Sequence, residues 1–166
     1  MTPRSVSPWL AVRSVAWMLL PFVVAFDVPW TCIGLDAVRV DARNPLHLIG
    51  LVLMAVGAVL LFACVWEFAT RGRGTLGPPD PPKNLVVQGL YRYVRNPMYL
   101  SVATILGGEM LLVQRTGLVL YGLIWFGFVN IFVLAYEEPA LREKFGASYE
   151  QYTRSVGRWL PRLAHK

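Results

Sequence analysis

Two stretches of this chain, Leu48 to Trp66 and Gly117 to Tyr136, each run for about twenty residues without a charged side chain. At 1.5 Å rise per residue such a stretch makes a helix of roughly 28–30 Å, close to the thickness of a bilayer's hydrocarbon core. A helix that is apolar all round has no polar face to turn to water. Composition closes the soluble route: of 166 residues 55% are hydrophobic and 16% charged, against about 25% charged in soluble domains. Two further apolar runs flank these. Trp9 to Phe26 is interrupted by Arg13, Ser14 and Pro21, and Met98 to Gln114 holds one charge, Glu109. The expectation is an all-α integral membrane protein, a single domain over 1–166. Its four transmembrane helices cover about 9–26, 48–66, 98–114 and 117–136, with a loop over 67–97 and an interfacial tail over 137–166. Two cysteines exclude a disulfide scaffold or a cysteine-built zinc site, and no metal is expected.

The first run is too long for the apolar core of a signal peptide and no small-residue cleavage site follows it. It is read as a retained span that leaves the membrane at Phe26-Asp27-Val28-Pro29-Trp30, with Arg13 snorkelling to the near interface. Four spans put the N-terminus, the 67–97 loop and the C-terminal tail on one side, where thirteen of the sixteen Lys and Arg fall. Arg39, Arg43 and Arg115 make up the other side. Positive loops stay inside, so both termini and the long loop are assigned to the cytoplasm, with a prokaryotic inner membrane as the expected location. The net charge of +6 is thereby a matter of topology, and no nucleic-acid partner is expected. Only Arg115-Thr116-Gly117 separates the last two runs. That forces an antiparallel hairpin whose turn lies outside, and brings the start of the third span beside the end of the fourth.

The chemistry-bearing residues cluster at those two ends. Arg71 to Pro82 is a Gly/Pro segment with no periodicity. After it, Asn96-Pro97 reads as a helix start, Asn at the cap and Pro at the first position. The chain carries its own control, because Arg43-Asn44-Pro45 precedes the second span. What distinguishes the second copy is its company of Tyr91, Arg92, Tyr93, Arg95 and Tyr99. The fourth span ends in Glu137-Glu138-Pro139, read either as solvated turn acids or as acids at the favourable N-terminus of a new helix begun by Pro139. Beyond it Leu141, Phe145, Tyr149, Tyr152 and Val156 form an apolar stripe at helical spacing, interrupted at Gly146. This amphipathic helix either lies on the inner membrane surface or packs as a lid over the hairpin.

Leu85-Val86-Val87-Gln88-Gly89-Leu90-Tyr91, Arg95-Asn96-Pro97-Met98-Tyr99, Glu137-Glu138 and Phe145-Gly146 with Tyr149 and Tyr152 together resemble the isoprenylcysteine carboxyl methyltransferase family. The integral-membrane phospholipid N-methyltransferases are similar more distantly. The likeness covers roughly 83 to 162. It implies an S-adenosylmethionine-dependent methyltransferase acting on a lipophilic, membrane-associated acceptor, with the cofactor held between the last two spans and the C-terminal helix. It also implies cofactor-binding roles for Leu85, Gly89, Tyr91, Arg95, Asn96, Pro97, Tyr99, Glu137 and Glu138, and catalytic roles for Arg95 and Glu138. The chain departs from the pattern at Lys83 and Asn96, where many relatives carry His, and at Gly157, where the family has Pro after Val156. Neither His47 nor His165 replaces the missing imidazoles.

The residue types suit that chemistry. Arg95 matches a carboxylate, Glu137 or Glu138 an ammonium or ribose hydroxyls, and the ring of Tyr91 or Tyr99 a sulfonium, at about 0.5–2 kcal/mol. An ionised carboxylate or thiolate acceptor entering sideways from lipid needs no base, whereas an amine would use Glu137 or Glu138. Glu109, about 17 Å into the membrane from Met98, is read as a structural hydrogen-bonding group ahead of a place in an acceptor tunnel, with Gly107-Gly108 permitting close helix approach. Glu67 is a weaker candidate for the cofactor's surroundings. Cys64 is expected in the core, unpaired with Cys32. A sterol-reductase-like NADPH-dependent oxidoreductase and a non-catalytic membrane subunit are the competing readings.

Overall fold

A computed structural model of the chain describes residues 21–33, 40–67 and 84–162. The expectations for residues 9–20, including the snorkelling Arg13, for the Gly/Pro segment 71–82, for Lys83 and for His165 lie outside the described residues. So does the side chain of Cys32. Among the described residues there is no strand, only helix and connecting turn.

The helical elements in chain order are α1 (Val28–Ile33), entered through a π-helical turn (Val23–Asp27); α2 (Pro45–Glu67); a 3-10 turn (Gly89–Arg92); α3 (Pro97–Val113); α4 (Thr116–Phe132); a second π-helical turn (Val133–Glu137); α5 (Glu138–Phe145); and α6 (Ala147–Ser155). Among the described residues two helices are long and apolar enough to cross a membrane, Pro45–Glu67 and the continuous Thr116–Phe145, while Pro97–Val113 is 17 residues long. The uncharged part of the longer helix stops at Tyr136, and α5 projects beyond it as a charged helix.

Two boundaries differ from expectation. The exit expected at Phe26 to Trp30 is helical through Ile33. Pro29 is the second residue of α1, directly after the π turn that ends at Asp27. The hairpin turn is shorter than expected. Gln114, with φ 54°, and Arg115 alone separate α3 from α4.

The α2–α3 pair is the tightest contact, and glycine makes it so. A Cβ on Gly50 would fall 2.6 Å from the Gly108 carbonyl oxygen, and one on Gly108 would fall 2.5 Å from that of Gly50. Gly57 meets Ser101 and Ile105 in the same way. The two helices are antiparallel, since 50 pairs with 108 and 57 with 101–105. Gly108 does what was expected of it, while Gly107 has open space around it. Leu61, Cys64, Met98, Val102, Ile105, Leu106 and Ala25 form the core. The Tyr121 hydroxyl donates to the Val24 carbonyl at 3.1 Å and fastens the N-terminal segment to α4. Cys64 is a free, buried thiol, as expected. Outside the core, α2 and α4 present Val52, Val59, Phe62, Leu123, Ile124, Phe128 and Ile131 outward, the apolar exterior that lipid rather than water would solvate.

Candidate functional site at the end of the hairpin

The antiparallel α3–α4 hairpin brings Tyr99, in the first turn of α3, to Glu137, and the Tyr99 hydroxyl donates to Glu137 Oε2 at 3.1 Å. The π turn sets the adjacent acids. The Glu138 N–H bonds back five residues to the Val133 carbonyl, so Glu138 follows fully buried Val133 on the inward face. In an unbroken α-helix that place would fall to residue i+4, which is Glu137. Both acids therefore reach the interior. Pro139 starts α5 without breaking the helix, because its missing N–H falls where the π turn has already widened the ladder.

Glu138 is buried, and three guanidinium contacts hold it. Arg95 Nη1 lies 3.1 Å from Oε1. Arg158 donates through Nε to Oε1 at 2.6 Å and through Nη2 to Oε2 at 3.0 Å, the two-pronged geometry that makes Arg–carboxylate pairs strong. Burial pushes the Glu138 carboxyl up. The Arg158 hydrogen bonds and the charges of Arg95, Arg158 and Arg142 outweigh it and leave the group below its ordinary value. Arg95 is an electrostatic neighbour of Tyr149, and its Nε is buried with no hydrogen-bond partner among the described residues.

A strap formed by the C-terminal residues closes this end. Val94 and Gly157 form a β-bridge, the Arg95 N–H donates to the Gly157 carbonyl at 2.8 Å, and the Tyr152 hydroxyl donates to the Tyr91 carbonyl at 2.6 Å. Beyond the strap's turn, Trp159 Nε1 donates to Asn130 Oδ1 at 2.9 Å. The break at Gly146 is where expected. Its φ of 50° with ψ −125° is backbone that a side chain resists. Tyr149, Tyr152 and Val156 pack with Leu141 and Phe145 of the same stripe and with Leu85 from the preceding loop, so the stripe forms a small apolar cluster that covers Leu85. Gly157, the departure from the family's proline, is sterically required. A Cβ there would collide with the Leu160 carbonyl.

The other expected site residues divide. Tyr91 is buried, and Cys64, Glu137, Tyr152 and Glu67 are its electrostatic neighbours. Burial first, and then these groups, push its phenol well above the usual range, so it remains an O–H donor. Gly89 takes φ 57°, and a Cβ on it would fall onto the Glu67 carboxylate, which places Glu67 at this end too. Pro97 occupies the first turn of α3 as expected. Asn96 stands at the cap position, but its side chain makes no cap hydrogen bond. Its amide points across to the Arg158 carbonyl, 3.5 Å away. Leu85 is apart from the polar cluster, packed under the apolar stripe. Glu109 lies elsewhere. It is 1% exposed with Oε2 unpartnered, and the interhelical hydrogen bond expected of it is absent among the described residues. No metal-ligand cluster occurs among the described residues.

The sequence reading missed Arg158, Trp159 and Asn130. Asn130 was the available signal, as a polar residue inside an otherwise apolar membrane helix calls for a partner.

Residues 45–148 match the phospholipid methyltransferase family model. The chain belongs to the phospholipid methyltransferase family. A stretch of 78 residues is 37% identical to the protein-S-isoprenylcysteine O-methyltransferase of Schizosaccharomyces pombe, covering 46% of this chain and 33% of that protein. The chain thus spans about a third of that relative's length. A fungal relative means that these motifs do not by themselves mark a prokaryotic membrane. The strap residues Tyr152, Arg158 and Trp159 fall beyond the part of this chain that matches the family model.

Proposed function

We propose that this phospholipid methyltransferase family member transfers a methyl group from S-adenosylmethionine to a lipophilic acceptor at the membrane surface. In this reading the polar end of the bundle and both termini are cytoplasmic, and the chain crosses the membrane four times. One observation carries the proposal. Tyr99, Glu137, Glu138, Arg95 and Arg158 converge at one end of an apolar bundle under a docked strap.

The residues fit the cofactor. Arg95 spends Nη1 on Glu138 and keeps a buried, unpartnered Nε, a donor suited to the cofactor's carboxylate. Glu137, held only through the neutral Tyr99 hydroxyl, is suited to the ammonium or the ribose hydroxyls. The rings of Tyr91 and Tyr99 are the aromatic faces available to a sulfonium. When bound, the cofactor would supply an electrophilic methyl carbon whose leaving group is a neutral thioether. The chain's own part is alignment and exclusion of water, which can supply most of the rate for such a displacement. In this reading Glu138 acts as a fixed anion that orients Arg95. An ionised carboxylate acceptor needs no base. For an amine acceptor Glu137 is the carboxylate free of a guanidinium clamp.

Detergent-purified protein tests this directly by calorimetric titration with S-adenosylmethionine and with NADPH, followed by transfer of radiolabelled methyl into a membrane extract. Saturable binding of S-adenosylmethionine, lost in a folded Arg95→Ala variant, is expected. A preference for NADPH, or binding of neither, would overturn the proposal.

A further inference from the structure

Trp159 touches three residues that belong to two different surroundings. Its ring stands edge-on to Tyr99 at 6.3 Å between centroids and tilted on Phe126 at 5.3 Å, while its N–H is held by Asn130. Tyr99 is the residue whose hydroxyl meets Glu137. Phe126 and Asn130 belong to the apolar helix α4, whose neighbouring positions Leu123, Ile124 and Phe128 face outward.

Phe126, Asn130 and Val133 are spaced by four and three residues, which keeps them on one side of the helix, and the π turn carries that side on to Glu138. This row leads from the apolar flank of α4 to the carboxylates, and Trp159 lies across it. Asn130 is spent on this arrangement. Its Nδ2 donates to the Phe126 carbonyl at 2.9 Å, its Oδ1 takes the indole N–H, and its polar atoms are satisfied inside an apolar helix only while the strap is docked.

We infer that Trp159, positioned by Asn130, is the wall against which the apolar chain of the methyl acceptor lies, and that this pair sets acceptor chain preference without contributing to cofactor affinity. The inference rests on the function proposed above. The acceptor class is a lipid with an extended hydrocarbon chain, alone or one of two, and a nucleophilic head. The head must reach the Tyr99–Glu137 end while the chain stays in lipid, and the row under Trp159 is the path that joins the two. Both a prenylated cysteine and a phospholipid satisfy that chemistry.

The experiment uses the full-length protein in detergent or nanodiscs. N-acetyl-S-farnesylcysteine and N-acetyl-S-geranylcysteine serve as long and short prenyl probes, and phosphatidylethanolamine vesicles with long and short acyl chains serve as phospholipid probes. Trp159→Ala is expected to raise KM for the long-chain acceptor roughly tenfold or more, the scale at which a hydrophobic wall discriminates chain length. It should erase the preference for the longer chain and leave the S-adenosylmethionine affinity within about twofold. Trp159→Phe keeps an aromatic ring and Asn130→Leu a branched side chain, but each breaks the hydrogen bond, and they carry the test should the alanine variant fail to fold. Each is expected to raise acceptor KM by about threefold, with the double variant no worse than either single one.

An S-adenosylmethionine affinity that falls as much as acceptor affinity overturns the inference, as does an unchanged acceptor KM and chain preference. Failure of the functional proposal shows separately, as absent S-adenosylmethionine binding in the wild type. In that event, direct binding of radiolabelled N-acetyl-S-farnesylcysteine to wild type and Trp159→Phe decides the matter. Weaker binding in the variant supports the wall, and equal binding overturns it.

Discussion

The tripeptide Arg-Asn-Pro occurs twice, each time before a long apolar helix, and the two copies have opposite fates. At Arg43-Asn44-Pro45 the Asn44 Oδ1 accepts the Leu46 N–H at 3.0 Å, an ordinary cap. Arg43 is exposed, and its side chain has no ion pair among the described residues. At Arg95-Asn96-Pro97 the cap bond is missing, Asn96 turns toward the strap, and Arg95 is drawn into a buried ion pair. Because α2 and α3 are antiparallel, the copies sit at opposite ends of the bundle. Local sequence supplies a helix start in both. The partners that convert one into part of a site lie 43 to 62 positions away in sequence.

Four changes would break or sharpen that contrast. The largest effect is expected at Arg95. Arg95→Ala leaves Glu138 with one cation in place of two, and losing one side of a buried pair costs about 3–5 kcal/mol. S-adenosylmethionine binding should become undetectable by calorimetry, while Arg43→Ala leaves binding and melting unchanged. Equal sensitivity of the two arginines would remove the distinction.

Next is acid. Glu138 is held below its ordinary value by Arg158 and Arg95, so its folded-state pKa is depressed. Its stabilising contribution is therefore present above the unfolded carboxyl value of about 4.3 and is lost as pH falls through the folded value. Limited proteolysis of the C-terminal strap should accelerate as pH drops below about 4. Glu138→Gln should show that acceleration already at neutral pH and lose most of its pH dependence.

A smaller change follows from Tyr99→Phe, which removes the hydroxyl bonded to Glu137 and keeps the ring against Trp159. Methyl transfer is expected to fall about tenfold, in line with one hydrogen bond to a charged group at about 1.5–3 kcal/mol. Acceptor KM should hold, and steady-state kinetics separate the two quantities.

The smallest pair is the asparagines. Asn44→Ala should lower stability by about 1 kcal/mol with methyl transfer intact. Asn96→Ala loses no cap and should lower thermal stability less, while loosening the strap enough to speed its proteolysis. Melting curves and digestion rates for the two variants check this.

Much of this was legible because the signals are local. The uncharged run from Leu48 to Trp66 became α2, the Arg115 turn became a hairpin, and Gly146 became the break in the C-terminal helix, each following from what the chain does within a few residues of itself. The same reasoning failed at Asn96 and Glu109. Spacing shows that a polar side chain exists but not whether a partner arrives. Asn96 gave up its cap for a contact across 62 positions, and Oε2 of Glu109 has no hydrogen-bond partner among the described residues. Arg158 was legible only as one of six basic residues in the tail.

The sequence by itself determined an all-helical chain with membrane-length apolar helices, a forced hairpin, and motifs of a methyltransferase family, since hydrophobicity and turn chemistry act at short range. The tertiary structure alone decided that Arg95 and Arg158 share Glu138, that the tail straps the site, and that Asn130 answers Trp159. The reason is physical. A buried charge or amide must be satisfied by whichever partner the packing delivers, and that delivery depends on how α3, α4 and the strap come together.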